Sequence, residues 1–388
     1  MKIGIVLPSV PGYSETFFTS KIRGLQANGF EVILFVNNFS KKTNLNCTII
    51  PSPAFSKNKL GNSLLSLYIL FKTLIFNFNQ VQSLYKLDKK DNLSFSKCIK
   101  SIIINSHLLS QKLDWLHFGF GTMVIDRENV AEAIGAKMAV SFRGFDYYVY
   151  PIKNKDCYKC LFSKKVKYHV LSDGMKSGLI NNSISPDSIV KITPAIDTKK
   201  FSSHSELKTK NNFITIARLN WIKGLDYTLE ALSILHKRGV DFSYKIVGDG
   251  VEKERLKFLV HQLDLNKKVV FLGKLEHDEI KNEMEKATYY IQYSLQEGFC
   301  NAALEAQAMG LLCIVSDAEG LSENVINNET GFIVPKRKPE LLASKILEAM
   351  SLEQNEKETI IKDAKTRIKT NFTIENQINQ FVAFYKNN

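Results

Sequence analysis

"NFITIARLNWIKGLDYTLEALSILHKRGVDFSYKIVGDG", residues 212 to 250, opens with a β-branched apolar run and closes on a second such run that ends in glycines. Between them, Leu225, Leu229, Leu232 and Leu235 recur at helical spacing, and Gly239 supplies the stop. This reads as strand, amphipathic helix, strand, the unit that builds parallel sheets. The pattern continues downstream through "VVFLGKL", "YYIQYS", "LLCIVSD" and "GFIVP". Upstream it appears in "KIGIVLP", "EVILFV", "LDWLHFGF", "KMAVSFRGFD" and "YHVLSDGM". Repeated alternation of this kind predicts an α/β protein with parallel sheets and helices on both faces.

The chain has 388 residues, more than one hydrophobic core usually serves, so two domains are expected. The boundary is placed in "KITPAIDTKKF", residues 191 to 201, where Pro194 separates two such series. The expected division is residues 1–194 with a terminal helix over 375–388, and residues 195–374. At 44% hydrophobic and 23% charged, the composition is that of an ordinary globular protein. The start, "MKIGIVLPSVPGYSETFF", reads as a first strand rather than a signal peptide. The longest apolar run, "LLSLYILFKTLIF" over 64–76, carries Lys72 and reads as too short and too charged for a membrane span. A buried or surface-lying helix is expected there. Cys157 and Cys160 form a lone "CYKC" that no second pair or histidine pair completes, so no metal site is expected.

The net charge is +13, which suits anionic partners. No zinc finger or RNP-type motif accompanies it, so nucleic acid is not the expected partner. Much of the excess is local. Lysines 57, 59, 72, 86, 89, 90, 97, 100 and 112 face only Asp88 and Asp91, with Leu, Ile and Phe interleaved. That pattern fits a surface for an anionic membrane, and equally a solvated helical face.

"EGFCNAALEAQAMG", residues 297 to 310, places Glu297 in the turn after a strand and Glu305 inside an Ala-rich helix. The helix is expected to start at Asn301, an N-cap residue type, and to stop at Gly310. Backbone N–H groups at such a start attract phosphate. The two carboxylates repel phosphate but accept hydrogen bonds from hydroxyls. "ARLNWIKG" adds Arg218 and Lys223 at the end of another strand of the same domain, where a doubly wound sheet places its ligand. A nucleoside diphosphate sugar fits this set. Taken singly, Glu305 reads equally as a helix-dipole carboxylate, Glu297 as a turn residue, and the cations as surface charge.

In the first domain, Gly12 permits close backbone approach, and Ser14, Glu15 and Thr16 either cap a helix or contact an acceptor. His117 ends a strand, as a core residue or as a group facing the acceptor. "FRGFD" offers Arg143 to neutralise a phosphate and Asp146 to orient or deprotonate an acceptor hydroxyl.

The blocks "ITIARLNWIKGLDYTLEAL", "YKIVGDG", "VVFLGKL" and "SLQEGFCNAALEAQAMGLLCIVSDAEGLSENVINNETGFIVP" resemble the retaining nucleotide-sugar glycosyltransferases of family 4. Glu297 and Glu305 match that family's E-x7-E motif. "YSETFF" and "SFRGFD" resemble its polysaccharide branch, used for colanic acid and related exopolysaccharides. The likeness spans nearly the whole chain, strongest over 190–335 and weakest over 40–112.

The resemblance implies the GT-B fold: two doubly wound Rossmann-like domains facing a central cleft, with a C-terminal helix crossing back to the N-terminal domain. It implies that Arg218 and Lys223 hold the diphosphate, Glu305 the ribose and Glu297 the donor sugar. Gly248, Leu275, Gly298, Phe299, Cys300 and Asn301 would complete the donor site, with base recognition near "GKLEHDE". Gly12, Ser14, Glu15, His117 and Arg143 would lie on the acceptor side, and Asp146 would join Glu297, Arg218 and Lys223 in catalysis. With no D-x-D motif, a metal-independent enzyme without cofactor is implied. Three positions depart from the family pattern: Cys300 in "EGFC", Glu319 in "AEG", and Arg143 where a histidine is usual.

The implied activity is retaining transfer of a hexose from a UDP- or GDP-sugar to a growing, lipid-linked polysaccharide or lipopolysaccharide. It would occur in the cytoplasm at the inner face of the cytoplasmic membrane. A GT-B partner subunit that binds a nucleotide sugar without turnover is the alternative.

Overall fold

A computed structural model of the chain describes residues 1–12, 16–38, 45–56, 58–202 and 210–387. Two compact units result: Met1–Ile192 with Ile378–Asn388, and Thr193–Gln377.

The first unit carries β1 (Lys2–Ser9), β2 (Glu31–Asn38), β3 (Thr48–Pro51), β4 (Trp115–Phe118), β5 (Lys137–Ser141), β6 (Val166–Val170) and β7 (Ile189–Lys191). They form a seven-stranded sheet in the order β3-β2-β1-β4-β5-β6-β7. Every pairing is parallel. Central strands covered on both faces need continuous apolar runs. β1 and β2 meet that need, with Ile5 registered against Leu34 on one side and His117 on the other.

Helix α1 (Thr16–Ala27) follows β1. Between β3 and β4 lie α2 (Lys59–Phe76), α3 (Phe78–Lys90) and α4 (Phe95–Leu109). Asn58 caps α2 by accepting from Leu60 N at 3.2 Å and Gly61 N at 3.3 Å. That cap starts the helix five residues before the apolar run at 64. At 18 residues, α2 is long and apolar enough to cross a membrane by length and composition, which corrects the reading of this segment as too short.

The terminal helix (Ile374–Lys386) ends in the first unit. Phe381, Phe384 and Tyr385 join the core of β1, β2 and α1. Gly24 on α1 makes room for it, since a Cβ there would sit 2.4 Å from Ile378.

The second unit holds β8 (Asn212–Ile216), β9 (Ser243–Val247), β10 (Val269–Gly273), β11 (Tyr289–Gln292), β12 (Leu312–Ser316) and β13 (Phe332–Val334). The order is β10-β9-β8-β11-β12-β13, again parallel. The helix Leu225–Lys237 buries the four leucines whose spacing predicted it. Its N-cap Gly224 has φ +58°, and a Cβ there would fall 2.2 Å from the Tyr293 carbonyl oxygen. The two ends of this unit are tied together: Ile196 bridges Thr373, and the Gln377 side chain donates to Thr193 O at 2.7 Å.

Candidate active site

β8 leads to β9 on one side, while β11 lies on its other side. The strand order therefore reverses between β8 and β11, the point at which a doubly wound sheet places its ligand. Arg218 and Lys223 follow β8, Gly248 follows β9, Leu275 follows β10, residues 297–301 follow β11 and Glu319 follows β12. The topology thus brings all the donor-side candidates except Glu305, which lies within a helix, to one edge of one sheet.

Backbone contacts lock these loops together. Leu295 N donates to Ile222 O at 2.7 Å, and Gly320 N to Glu297 O at 3.0 Å. A Cβ at Gly248 would lie 1.9 Å from Ala217 O, and one at Gly320 2.1 Å from Gly298 O. Only glycine fits at either point. At Gly248 the φ of +134° sets the same requirement.

Lys223 Nζ meets Glu297 Oε2 at 2.5 Å, with the two side chains only 18% and 12% exposed. Burial works against the Lys223 ammonium, but Glu297 outweighs it, and the amine is held above its usual range. A directional chain fixes the carboxylate. Tyr290 OH donates to Gln292 Oε1 at 2.8 Å, Gln292 Nε2 donates to Ser294 Oγ at 2.8 Å, and Ser294 Oγ donates to Glu297 Oε2 at 3.2 Å. Each link has its donor committed forward, so Glu297 is the terminal acceptor. Arg218 is exposed nearby, and its charge acts on Lys223.

The helix Asn301–Ala308 begins one residue earlier than its cap chemistry predicts. Cys300 is the N-cap and Asn301 the first helical residue, without a side-chain cap. The turn is instead held by Asn324, which accepts from Cys300 N at 3.0 Å and donates to Cys300 O at 3.0 Å. Cys300 is buried and its thiol is pushed up to about 12, mainly by burial. Phe299 packs on Phe372 with ring centroids 5.9 Å apart. Glu305 lies one turn into the helix. Burial raises its carboxyl to about 8, against an opposing pull from Lys200. Glu319 is engaged by Gln296 at 3.0 Å and Lys336 at 3.3 Å.

In the first unit, Ser14 and Glu15 lie outside the described residues. A Cβ at Gly12 would meet none of the described residues within 4 Å, so the described part of the fold does not demand glycine there.

His117 is a core residue and not an acceptor contact, which corrects its placement on the acceptor side. It is wholly buried, and both ring nitrogens are occupied. Nδ1 lies 2.5 Å from Tyr385 OH and 3.4 Å from Lys21 Nζ, and Nε2 lies 2.7 Å from Ser141 Oγ. Ser141 Oγ in turn meets His169 Nδ1 at 2.7 Å, and His169 Nε2 meets Ile192 O at 3.0 Å. The carbonyl can only accept, so the protons run one way, from Tyr385 and Lys21 through His117, Ser141 and His169. Both imidazoles are neutral in that arrangement, and burial lowers their pKa well below the usual value.

Asp146 is likewise corrected as a catalytic contact. It is buried, and its carboxylate accepts from Gly121 N at 2.5 Å and Arg143 N at 2.8 Å. With both oxygens committed to backbone, it shapes the loops after β4 and β5 and is a positioning residue. Burial raises its carboxyl to about 7 against those two donors. Arg143 is set on an aromatic face, its guanidinium carbon 3.8 Å from the Phe17 ring centroid and 4.8 Å from that of Phe18.

Asn324, Gln292, Tyr290, Ser141, His169 and Lys21 are the residues that reading the sequence missed. Their partners are 23 or more positions distant or alternate on a buried strand, and no local pattern marks them.

Residues 197–367 match the family described as Glycosyl transferases group 1. These residues form a group 1 glycosyl transferase domain, and the chain is a glycosyltransferase. The amylovoran biosynthesis glycosyltransferase AmsK of Erwinia amylovora is 26% identical over 279 residues, covering 69% of this chain and 67% of AmsK. The putative colanic acid biosynthesis glycosyltransferase WcaL of Escherichia coli K12 is 26% identical over 266 residues, covering 66% of each.

Among solved structures, a glycosyltransferase from Rickettsia africae superposes with TM-score 0.72 at 22% identity, covering 100% of this chain and 98% of that one. HepE of Anabaena, solved with UDP, superposes with TM-score 0.74 at 14% identity, covering 100% of both. The fold of the glycosyltransferase is GT-B, built on its two parallel-sheet units.

Proposed function

We propose that this glycosyltransferase moves a hexose, with retention, from a UDP- or GDP-sugar to a growing lipid-linked polysaccharide or lipopolysaccharide at the inner face of the cytoplasmic membrane. The observation that carries the reading is the Lys223–Glu297 pair, fixed at the strand-order reversal of the second unit beside Arg218 and a helix start. Support comes from AmsK and WcaL, whose names place them in amylovoran and colanic acid biosynthesis, and from HepE, solved with UDP and with UDP-glucose.

Arg218 and Lys223 meet the diphosphate as its bond to the sugar breaks, together with the N–H groups of the helix start. Glu297 Oε2 is held by Lys223 and Ser294, so Oε1 takes a hydroxyl of the donor sugar. Glu305 takes the ribose hydroxyls. The acceptor hydroxyl attacks from the face the diphosphate leaves, and its proton passes to the leaving phosphate. In the first unit, Arg143, set on its aromatic face, balances the charge of a phosphate on the acceptor, and Asp146 holds the loop that presents it. No metal enters this scheme.

The test is incubation of the full chain with a panel of UDP- and GDP-sugars and a lipid-extract acceptor. Nucleotide release together with glycan growth is expected. Tight binding without release would make the protein a nucleotide-sugar-binding partner subunit instead, and no binding at all would sink the donor site.

A further inference from the structure

The face that α2 turns to solvent is apolar. Leu60, Leu64, Leu67, Tyr68, Phe71 and Ile75 are all exposed, Leu60 at 78%, Phe71 at 63% and Ile75 at 70%. At 100° per residue these positions fall within about a 100° arc, a single stripe along the helix. The opposite side packs on α3 and α4, with Thr73 buried. Phe78 on α3 and Phe95 on α4 are also exposed. An amphipathic helix of a water-soluble unit ordinarily turns its apolar stripe inward. Here it points outward, and a contiguous apolar patch of this kind marks an interaction surface.

Charge says what covers it. Lys59, Lys72, Lys86, Lys89, Lys90, Lys97 and Lys100 on α2, α3 and α4 are all exposed. The two acids of the segment do not offset them at the surface. Asp88 is buried and bonded to Asn129 at 2.9 Å, and Asp91 is paired with Lys164 at 2.5 Å. A solvated helical face would pair its lysines with acids and turn polar groups outward. This face is a lysine field around an apolar ridge, complementary to an anionic lipid surface, with apolar side chains for the acyl boundary and ammonium groups for the headgroups.

We infer that α2 lies in the plane of an anionic bilayer and docks the first unit there through Leu60, Leu64, Leu67, Tyr68, Phe71 and Ile75. The helix meets the length and composition of a span. Crossing would require it to leave α3 and α4, however, exposing their packed side chains and Thr73. Lying in plane keeps that packing. The inference extends the reading of a lipid-linked acceptor and does not depend on the donor chemistry.

Co-sedimentation of the full chain, without nucleotide, tests it on vesicles of phosphatidylcholine alone and of phosphatidylcholine mixed with phosphatidylglycerol. Binding to the mixed vesicles should be at least about tenfold tighter and should weaken with added salt. Leu64→Gln with Phe71→Gln should lose at least about tenfold in vesicle affinity with an unchanged unfolding temperature. Lys86→Gln with Lys90→Gln should lose the preference for phosphatidylglycerol and keep the residual binding. Phe71→Trp gives a second readout, a blue shift of emission on mixed vesicles.

Equal binding to both vesicle types, or no effect of the Leu64/Phe71 substitutions and no blue shift, overturns the inference. A vesicle-free dimer abolished by those substitutions would assign the stripe to a second copy of the chain. Retention in the bilayer after an alkaline carbonate wash would make α2 a span. Nucleotide thermal shift of the same variants reads the donor site separately, so failure of one reading is distinguishable from failure of the other.

Discussion

Glu297 and Lys223 are each other's chief partner in a largely desolvated setting, so each substitution leaves a charge behind. Glu297→Gln strands the ammonium, and Lys223→Met leaves the carboxylate with the Ser294 hydroxyl in place of its cation. Each should destabilise the protein by about 2 kcal/mol, less than a fully buried pair because some solvent reaches both groups. Under the proposed function, activity should fall further, by about a hundredfold or more for Lys223→Met, because the leaving group would lose a stabilising charge. Steady-state nucleotide release and thermal unfolding on the same samples separate the two effects.

Glu305 gives a pH signature. Its carboxyl is raised by burial from an ordinary 4.5 to about 8. Between those values the folded protein keeps a proton that the unfolded chain releases. Stability is therefore fullest below the lower value and declines as pH rises towards 8. Glu305→Gln should flatten that slope in thermal unfolding measured from pH 5 to 9. Under the proposed function Glu305 takes the ribose, whose hydroxyl donates best to the ionised carboxylate, so nucleotide affinity in the parent should rise with pH up to about 8 and then level. A parent and variant with the same profile would place the titration elsewhere.

At the scale of elements, the site is an assembly of loop ends held by close backbone approach. Gly248 is where this can be probed most sharply. Its φ of +134° and the Ala217 carbonyl 1.9 Å from a would-be Cβ leave a side chain nowhere to go. Gly248→Ala should cost about 3 kcal/mol or more, because two strand-end loops must part to admit a methyl group. Nucleotide-induced thermal stabilisation should vanish with it, although no side chain that meets ligand has changed. Gly12→Ala is the control: no described residue lies within 4 Å of its Cβ position, so stability should hold.

For the whole molecule, the chain path matters most. Residues 378–388 follow the second unit in sequence but complete the core of the first. Tyr385 heads the buried hydrogen-bond chain through His117, Ser141 and His169, and Phe381 and Phe384 pack beside it. Deleting 378–388 should therefore unfold the first unit, with a loss of about 5 kcal/mol from apolar burial alone. The second unit should still show nucleotide-induced stabilisation. Limited proteolysis of the truncated chain would check this, with cleavage expected within 1–192 and protection over 193–377.

Strand and helix periodicity, glycines at strand ends and a carboxylate pair eight positions apart are local, so they were legible from the residues alone. That was enough for two α/β units, for the edge where Arg218, Lys223 and Glu297 gather, and for the family resemblance. What depended on distant packing was not legible. A histidine at a strand end looks the same whether it faces ligand or core, and only the arrival of Tyr385 and Ser141 made His117 a core group. Asp146 in "RGFD" has the composition of a general base, and its burial against Gly121 and Arg143 backbone made it a positioning residue. The lysine-rich 57–112 segment was open between two readings because periodicity gives a stripe but not the side it faces. Packing on α3 and α4 turned that stripe outward. Sequence by itself determined which elements form, since that follows from neighbours along the chain. Tertiary structure decided which side chains gather at the sheet edge, which meet the core and which meet solvent, because burial depends on what the rest of the chain brings alongside.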